Sequence, residues 1–72
     1  MSDYQILSDL ANSVINGDET KSAEAAKKAL QSGIEPLKAI NEGLMKGMAK
    51  VGEDLIHIKI YFYTITSITI NP

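Results

Sequence analysis

Apolar residues recur along the first fifty-five positions at helical spacing, and the breaks between runs carry helix-terminating residues. Leu7, Leu10, Ala11, Val14 and Ile15 fall at i, i+3, i+4, i+7 and i+8, the signature of one buried helix face. Ser2, with Gln5 three residues on, supplies a capping box at its start. Asn16-Gly17 closes this helix and Asp18 caps the next, whose first turn carries Glu19. The second helix, about 19 to 32, is expected to bury a narrow face of Ala23, Ala26, Ala29 and Leu30, small enough for close neighbours. Gly33 ends it, and Ile34 folds back over its last turn.

Pro36 opens a third helix, where its missing N–H costs nothing. Leu37, Asn41, Leu44, Met48, Val51 and Leu55 follow at spacings of 4, 3, 4, 3 and 4, a predicted packing seam with Asn41 as its polar member and Ile40 beside it. Gly43, Gly47 and Gly52 lie within this stretch. Each costs about 1 kcal/mol relative to alanine inside a helix, so something requires the missing side chains. One reading is close backbone packing against the alanine-rich second helix. The other is that a glycine-lined face bearing Met45 and Met48 lies near a bulky ligand or a moving domain.

Residues 56–72, IHIKIYFYTITSITINP, break the pattern, with six isoleucines in seventeen residues against four in the preceding fifty-five. Ile56, Ile58, Ile60 and Phe62 alternate with His57, Lys59, Tyr61 and Tyr63, which is strand periodicity, and Thr66-Ser67 offers a turn between two short strands. An isolated hairpin is marginal in water, so a fourth, weakly specified helical or irregular segment drawn onto the other helices is preferred. Left exposed, such a run is an aggregation hazard.

Composition narrows the function classes. A chain of 72 residues holds one small core. It has no cysteine, which removes disulfides and thiolate metal sites, and its net charge of −2 argues against a nucleic-acid surface. The apolar tail carries His57, Lys59, three threonines and a serine, and falls short of a membrane span. A cytoplasmic protein is the expectation. With a single histidine and no clustered carboxylates in an apolar setting, catalysis by this chain alone is not expected.

The string ALQSGIEPLKAINEGLMKGMAKVGEDL, residues 29–55, resembles the N-terminal helical cap domain of corrinoid-binding methyl-transfer proteins. These include the methylamine- and methanol-linked corrinoid proteins and the corresponding module of cobalamin-dependent methionine synthase. The resemblance rests on the helix ending at Gly33, on Ile34 and Pro36, and on Gly43-Leu44, Gly47-Met48 and Val51-Gly52-Glu53; YQILSDLANSVINGD fits the family's opening segment. It implies a four-helix cap over the upper corrinoid face, its fourth helix opened by a Phe-Leu-Pro motif after the Val-Gly-Glu segment, and then a Rossmann-like domain with an Asp-x-His-x-x-Gly cobalt-ligating motif. This chain departs at Leu55. Asp54 and His57 have the wrong spacing for that motif and no glycine follows, so the ligand role is not carried onto His57. Tyr61 and Phe62 lie near where the family's Phe-Leu would fall. A shifted reading frame after Leu55 is one origin consistent with the tail, since A/T-rich codons read out of frame give such peptide.

The expectation is therefore an all-α small helical bundle of three helices plus an irregular or weakly specified C-terminal segment, with residues 1–55 a cap-like domain and 56–72 an atypical tail. It is read as a truncated corrinoid-protein module, with cobalamin the cofactor of the intact family and none held by this chain alone. The expected partners are a methyltransferase subunit or corrinoid-binding domain, or a second copy, and no catalytic, cofactor-binding or metal residue is assigned. The competing reading is a small helical protein-interaction module with no corrinoid role.

Overall fold

The computed structural model describes residues 3–52 and 55–70. Helix α1 spans Asp3–Ile15 and α2 spans Glu19–Gln31. The third rod runs from Pro36 to Val51 as α3 (Pro36–Ala39), a π-helical turn (Ile40–Leu44) and α4 (Met45–Val51). Helix α5 is Leu55–Ile70. All regular elements among the described residues are helical, as the all-α reading expects.

The α1–α2 corner forms as its residues demand. The N–H of Gly17 donates to Val14 O and that of Asp18 to Ser13 O, the paired bonds of a Schellman ending. Gly17 takes φ 72°, a conformation a Cβ would penalise. Asp18 then turns about and caps α2, its Oδ1 accepting from Lys21 N at 2.9 Å. The same ending recurs after α2, where Gly33 N–H donates to Leu30 O and Ile34 N–H to Ala29 O, and Ile34 is buried. The Ser2 half of the expected capping box lies outside the described residues. The Gln5 amide donates to Asp9 Oδ1 at 2.9 Å.

Helix α1 sits in the middle of the bundle, with α2 on one side and the π turn and α4 on the other, while α5 lies chiefly along α2. Ile6, Leu7, Leu10 and Val14 of α1 meet Ala26 and Ala29 of α2, Ile34, Ala39, Leu44, and Ile60 and Ile68 of α5 in one core. The buried face of α2 is set by Ser22, Ala26 and Ala29, with Ala23 and Leu30 only half-buried, so its face is rotated slightly from the expected one.

The third rod corrects the predicted seam. Leu37 and Leu55 are 65% and 81% exposed, and Asn41 is exposed too. The buried or half-buried positions are Ala39, Gly43, Gly47 and Val51, with Ile40, Leu44 and Met48 beside them. These recur every four residues, a spacing that drifts around a 3.6-residue helix. The wider π turn, with Met45 N–H donating to Ile40 O, takes up the drift and keeps Gly43, Gly47 and Leu44 facing inward. The rod then stops at Gly52, whose φ of 79° ends α4, so Gly52 is not a helix-interior glycine and Leu55 belongs to the next helix.

The described part of the tail continues a sixteen-residue helix that starts at Leu55, as the helical alternative expected but with more regularity, and the strand alternation and the Thr66-Ser67 turn are not realised. Within the β-prone run lies a second spacing, Ile60, Thr64 and Ile68 at i, i+4 and i+8, all buried. A helix satisfies its own backbone hydrogen bonds and lays these three residues on α2, whereas a lone hairpin has no third strand or covering helix to support it. Tertiary burial here outweighs β-propensity.

Candidate functional site

Gly43 and Gly47 are buried, and their neighbour is α1 rather than the alanine-rich α2 that the sequence reading favoured. A Cβ on Gly47 would stand 2.8 Å from Ala11 O and 2.9 Å from Val14 Cβ; one on Gly43 would meet Leu10 Cδ2 at 2.7 Å. The reason is geometric: the π turn and α4 cross α1, while α2 lies on α1's other side. The two glycines thus serve packing, and the ligand-facing reading has to rest on other residues of the rod.

Those residues lie on the opposite flank of α4. Met45, Met48, Ala49 and Gly52 form one wall of a groove of about 560 Å³, and Ile58, Tyr61 and Phe62 of α5 form the other. Met45 and Phe62 are exposed, while Met48, Ile58 and Tyr61 are half-buried. The Tyr61 hydroxyl donates to Met45 Sδ at 3.4 Å, joining the walls. Tyr61 and Phe62 meet edge to face, with ring centroids 6.1 Å apart and planes at 71°. Among the described residues beyond its own helix and chain neighbours, nothing comes within 4 Å of where a Cβ on Gly52 would be. Among the described residues, no charged side chain lines the groove.

Such a surface can shield and grip a flat apolar group. Thioether side chains adapt to irregular partners, and aromatic rings add rigid contact area. Among the groove's described residues the Tyr61 hydroxyl is the one polar side-chain group, and it is engaged by Met45 Sδ. Tyr61 and Phe62, singled out from the sequence, are brought together here with Met45 and Met48. Ile58 and Ala49 were not anticipated, because only the reversal of the chain after Gly52 sets α5 beside α4.

His57 is elsewhere. By helical spacing it shares the Ile60 and Thr64 side of α5 rather than the Ile58 and Phe62 side, and it is half-buried, its Nδ1 enclosed without a hydrogen-bond partner. Asp54 lies outside the described residues. Among the described residues no three His, Cys, Asp or Glu side chains converge as metal ligands, and no helix is long and apolar enough to cross a membrane. A second groove, about 520 Å³ between α1 and α2, is of different character: Asp9, Asn12, Lys21, Glu24 and Lys28 line it with both charge signs.

Comparison with known proteins agrees with the cap-like pattern. The family described as B12 binding domain matches residues 6–55. Trimethylamine corrinoid protein 2 of Methanosarcina mazei is 39% identical over 49 residues, which cover 68% of this chain and 22% of that protein. The chain thus corresponds to about a fifth of the length of this relative. No solved structure matches it.

Proposed function

Because the chain belongs to the B12 binding domain family, we propose that it acts as the cap module of a corrinoid-dependent methyl-group carrier, covering the upper face of a corrinoid held mainly by another domain. The observation that carries this reading is the groove of Met45, Met48, Gly52, Ile58, Tyr61 and Phe62, thioether, aromatic and aliphatic in all its described residues but for the Tyr61 hydroxyl. When bound, the corrinoid supplies the cobalt centre on which a methyl group is carried. The groove fits a shielding role, in which Met45, Met48 and Phe62 would exclude water from the corrinoid face and Gly52 leaves room for close approach. Its described lining includes no histidine, cysteine or carboxylate, so ligation from below falls to a separate Rossmann-like domain, and a methyltransferase is the expected partner.

Affinity for corrinoid by the cap alone should be low. Two aromatic rings and two thioethers would remove on the order of 200 Å² of apolar surface from water, contributing about 5 kcal/mol. Association costs roughly 4–15 kcal/mol in lost freedom, so the second domain is needed for tight binding.

The test supplies that domain. The 72-residue chain is titrated by calorimetry with a separately produced corrinoid-binding domain of a trimethylamine corrinoid protein loaded with methylcobalamin. Saturable association that is weakened at least tenfold by Met48→Lys supports the proposal. Absence of association, or association indifferent to Met48→Lys and Phe62→Lys, overturns it.

A further inference from the structure

The segment that forms α5 carries two periods at once. From Ile60 to Thr69 it reads IYFYTITSIT, in which nine of ten residues are β-branched or aromatic and none is charged, glycine or proline. Such residues are weak helix formers, because the preceding turn restricts their χ1, and they favour a pleated, half-buried surface. The helix therefore rests on what it touches. Ile60, Thr64 and Ile68 are buried, and the Thr64 hydroxyl is hydrogen-bonded to that of Ser22 in α2.

The same three residues all stand at even positions. In a strand they share one face with Phe62 and Thr66, both of which the helix leaves exposed. The helix divides this row between core and solvent, whereas a strand unites it and sets Tyr61, Tyr63 and Ile65 on the opposite face.

We propose that residues 60–69 are a conformational switch: docked on α2 they are helical, and released from it they assemble with the same segment of other copies as a cross-β stack. A second copy is the occupant because its segment is identical. Stacked in register, each isoleucine and each ring meets its own counterpart, and the threonines pair by hydrogen bonds. Lys59 bounds the window, since a stacked row of lysines repels itself. The groove requires α5 as a helix, so the two states exclude one another, and the inference does not rest on corrinoid binding.

Release from α2 is the controlling step. Ser22→Ala leaves the window untouched but strands the Thr64 hydroxyl in apolar surroundings, which raises the share of chains with α5 undocked. Tyr63 and Thr66 are exposed on the helix. Lysine at either position is a better helix former than the residue it replaces, yet it places a charge on one or the other strand face.

The full chain and its variants are held at one concentration in urea below the unfolding midpoint and followed by thioflavin T fluorescence, circular dichroism and fibre diffraction. Conversion after a lag from helix to fibres with a ~4.7 Å meridional repeat is expected. Ser22→Ala is expected to shorten the lag at least threefold. In the Ser22→Ala background, Tyr63→Lys and Thr66→Lys are each expected to lengthen it at least tenfold, while Ile56→Lys, the same charge on α5 outside the window, changes it less than twofold. Failure of Ser22→Ala to convert, an unshortened lag, aggregates without that reflection, conversion indifferent to both lysines in the window, or arrest by Ile56→Lys would each overturn the proposal.

Discussion

Ser22 of α2 and Thr64 of α5 share a hydrogen bond between their side-chain hydroxyls, and both residues are wholly buried. This pair lies between the helices whose packing brings the tail into the core. It ties a polar residue from the cap-like part to one from the Ile/Tyr/Thr-rich segment, forty-two positions apart. With Ile60 one turn before and Ile68 one turn after, the bond selects one register of α5 on α2, because a slide of a turn would strand both hydroxyls in apolar surroundings.

Thr64→Val is therefore expected to cost about 1–3 kcal/mol, since Ser22 keeps its hydroxyl and loses its partner. The double variant Ser22→Ala/Thr64→Val should recover part of that loss. Urea denaturation of the four proteins of the cycle gives the coupling, expected at roughly 0.5–3 kcal/mol. Additive losses would show that the pair contributes no mutual stabilisation.

Gly47→Ala should be clearly worse than Gly43→Ala. Both gain about 1 kcal/mol of helix propensity, but the new methyl at 47 meets the Ala11 carbonyl oxygen and Val14 Cβ, while at 43 it meets Cδ2, Cγ and Cβ of Leu10, a fully buried side chain. Overpacking costs roughly 1–3 kcal/mol, so both are expected to be destabilising, Gly47→Ala the more so because a backbone carbonyl cannot be moved by a rotamer change. Thermal melts at one protein concentration compare them directly.

Asp18→Ala removes the side chain that accepts from Lys21 N. The expected loss is about 1 kcal/mol. Asp18→Asn, which keeps an acceptor oxygen, should lose less than half as much by the same denaturant titration.

A chain stopped after residue 54 should fail to unfold cooperatively. It would lose Ile60, Thr64 and Ile68 and uncover Ser22, Ala26 and Ala29 of α2, leaving too small a core for a chain of this length. Residual helicity without a sigmoidal urea transition is the expected outcome; a sharp transition at the parent's midpoint would mean that α5 adds nothing to stability.

Hydroxocobalamin titrated into the 72-residue chain alone should show no saturable change in its visible spectrum, because no histidine, cysteine or carboxylate is among the described residues lining the groove. A stoichiometric shift abolished by His57→Ala would assign a ligand role to that residue.

The sequence by itself determined the first two corners and the start of the third helix, but not the break at Gly52, which its periodicity had placed inside that helix. Asn16-Gly17-Asp18, Gly33-Ile34 and Pro36 act through their own backbone preferences and nearest neighbours, so the corners follow without knowledge of the rest of the fold. The α1 stripe was likewise legible, because a central helix buries the face its periodicity displays. The family was legible too, from the spacing of glycines, Pro36 and Met48 across residues 29–55. Tertiary structure decided the rest. The inward face of the third rod depends on the π turn, which lets residues spaced by four align and leaves Leu37 outside. The glycines' neighbour, α1 rather than α2, depends on which helix crosses the rod. The tail's regularity was decided by contact with α2: its alternation is that of a strand and its expected form was a weakly specified helical or irregular segment, but burial of Ile60, Thr64 and Ile68 makes it a continuous helix. The groove followed from that choice, since Ile58, Tyr61 and Phe62 reach Met45 and Met48 only after α5 has formed and turned back beside α4.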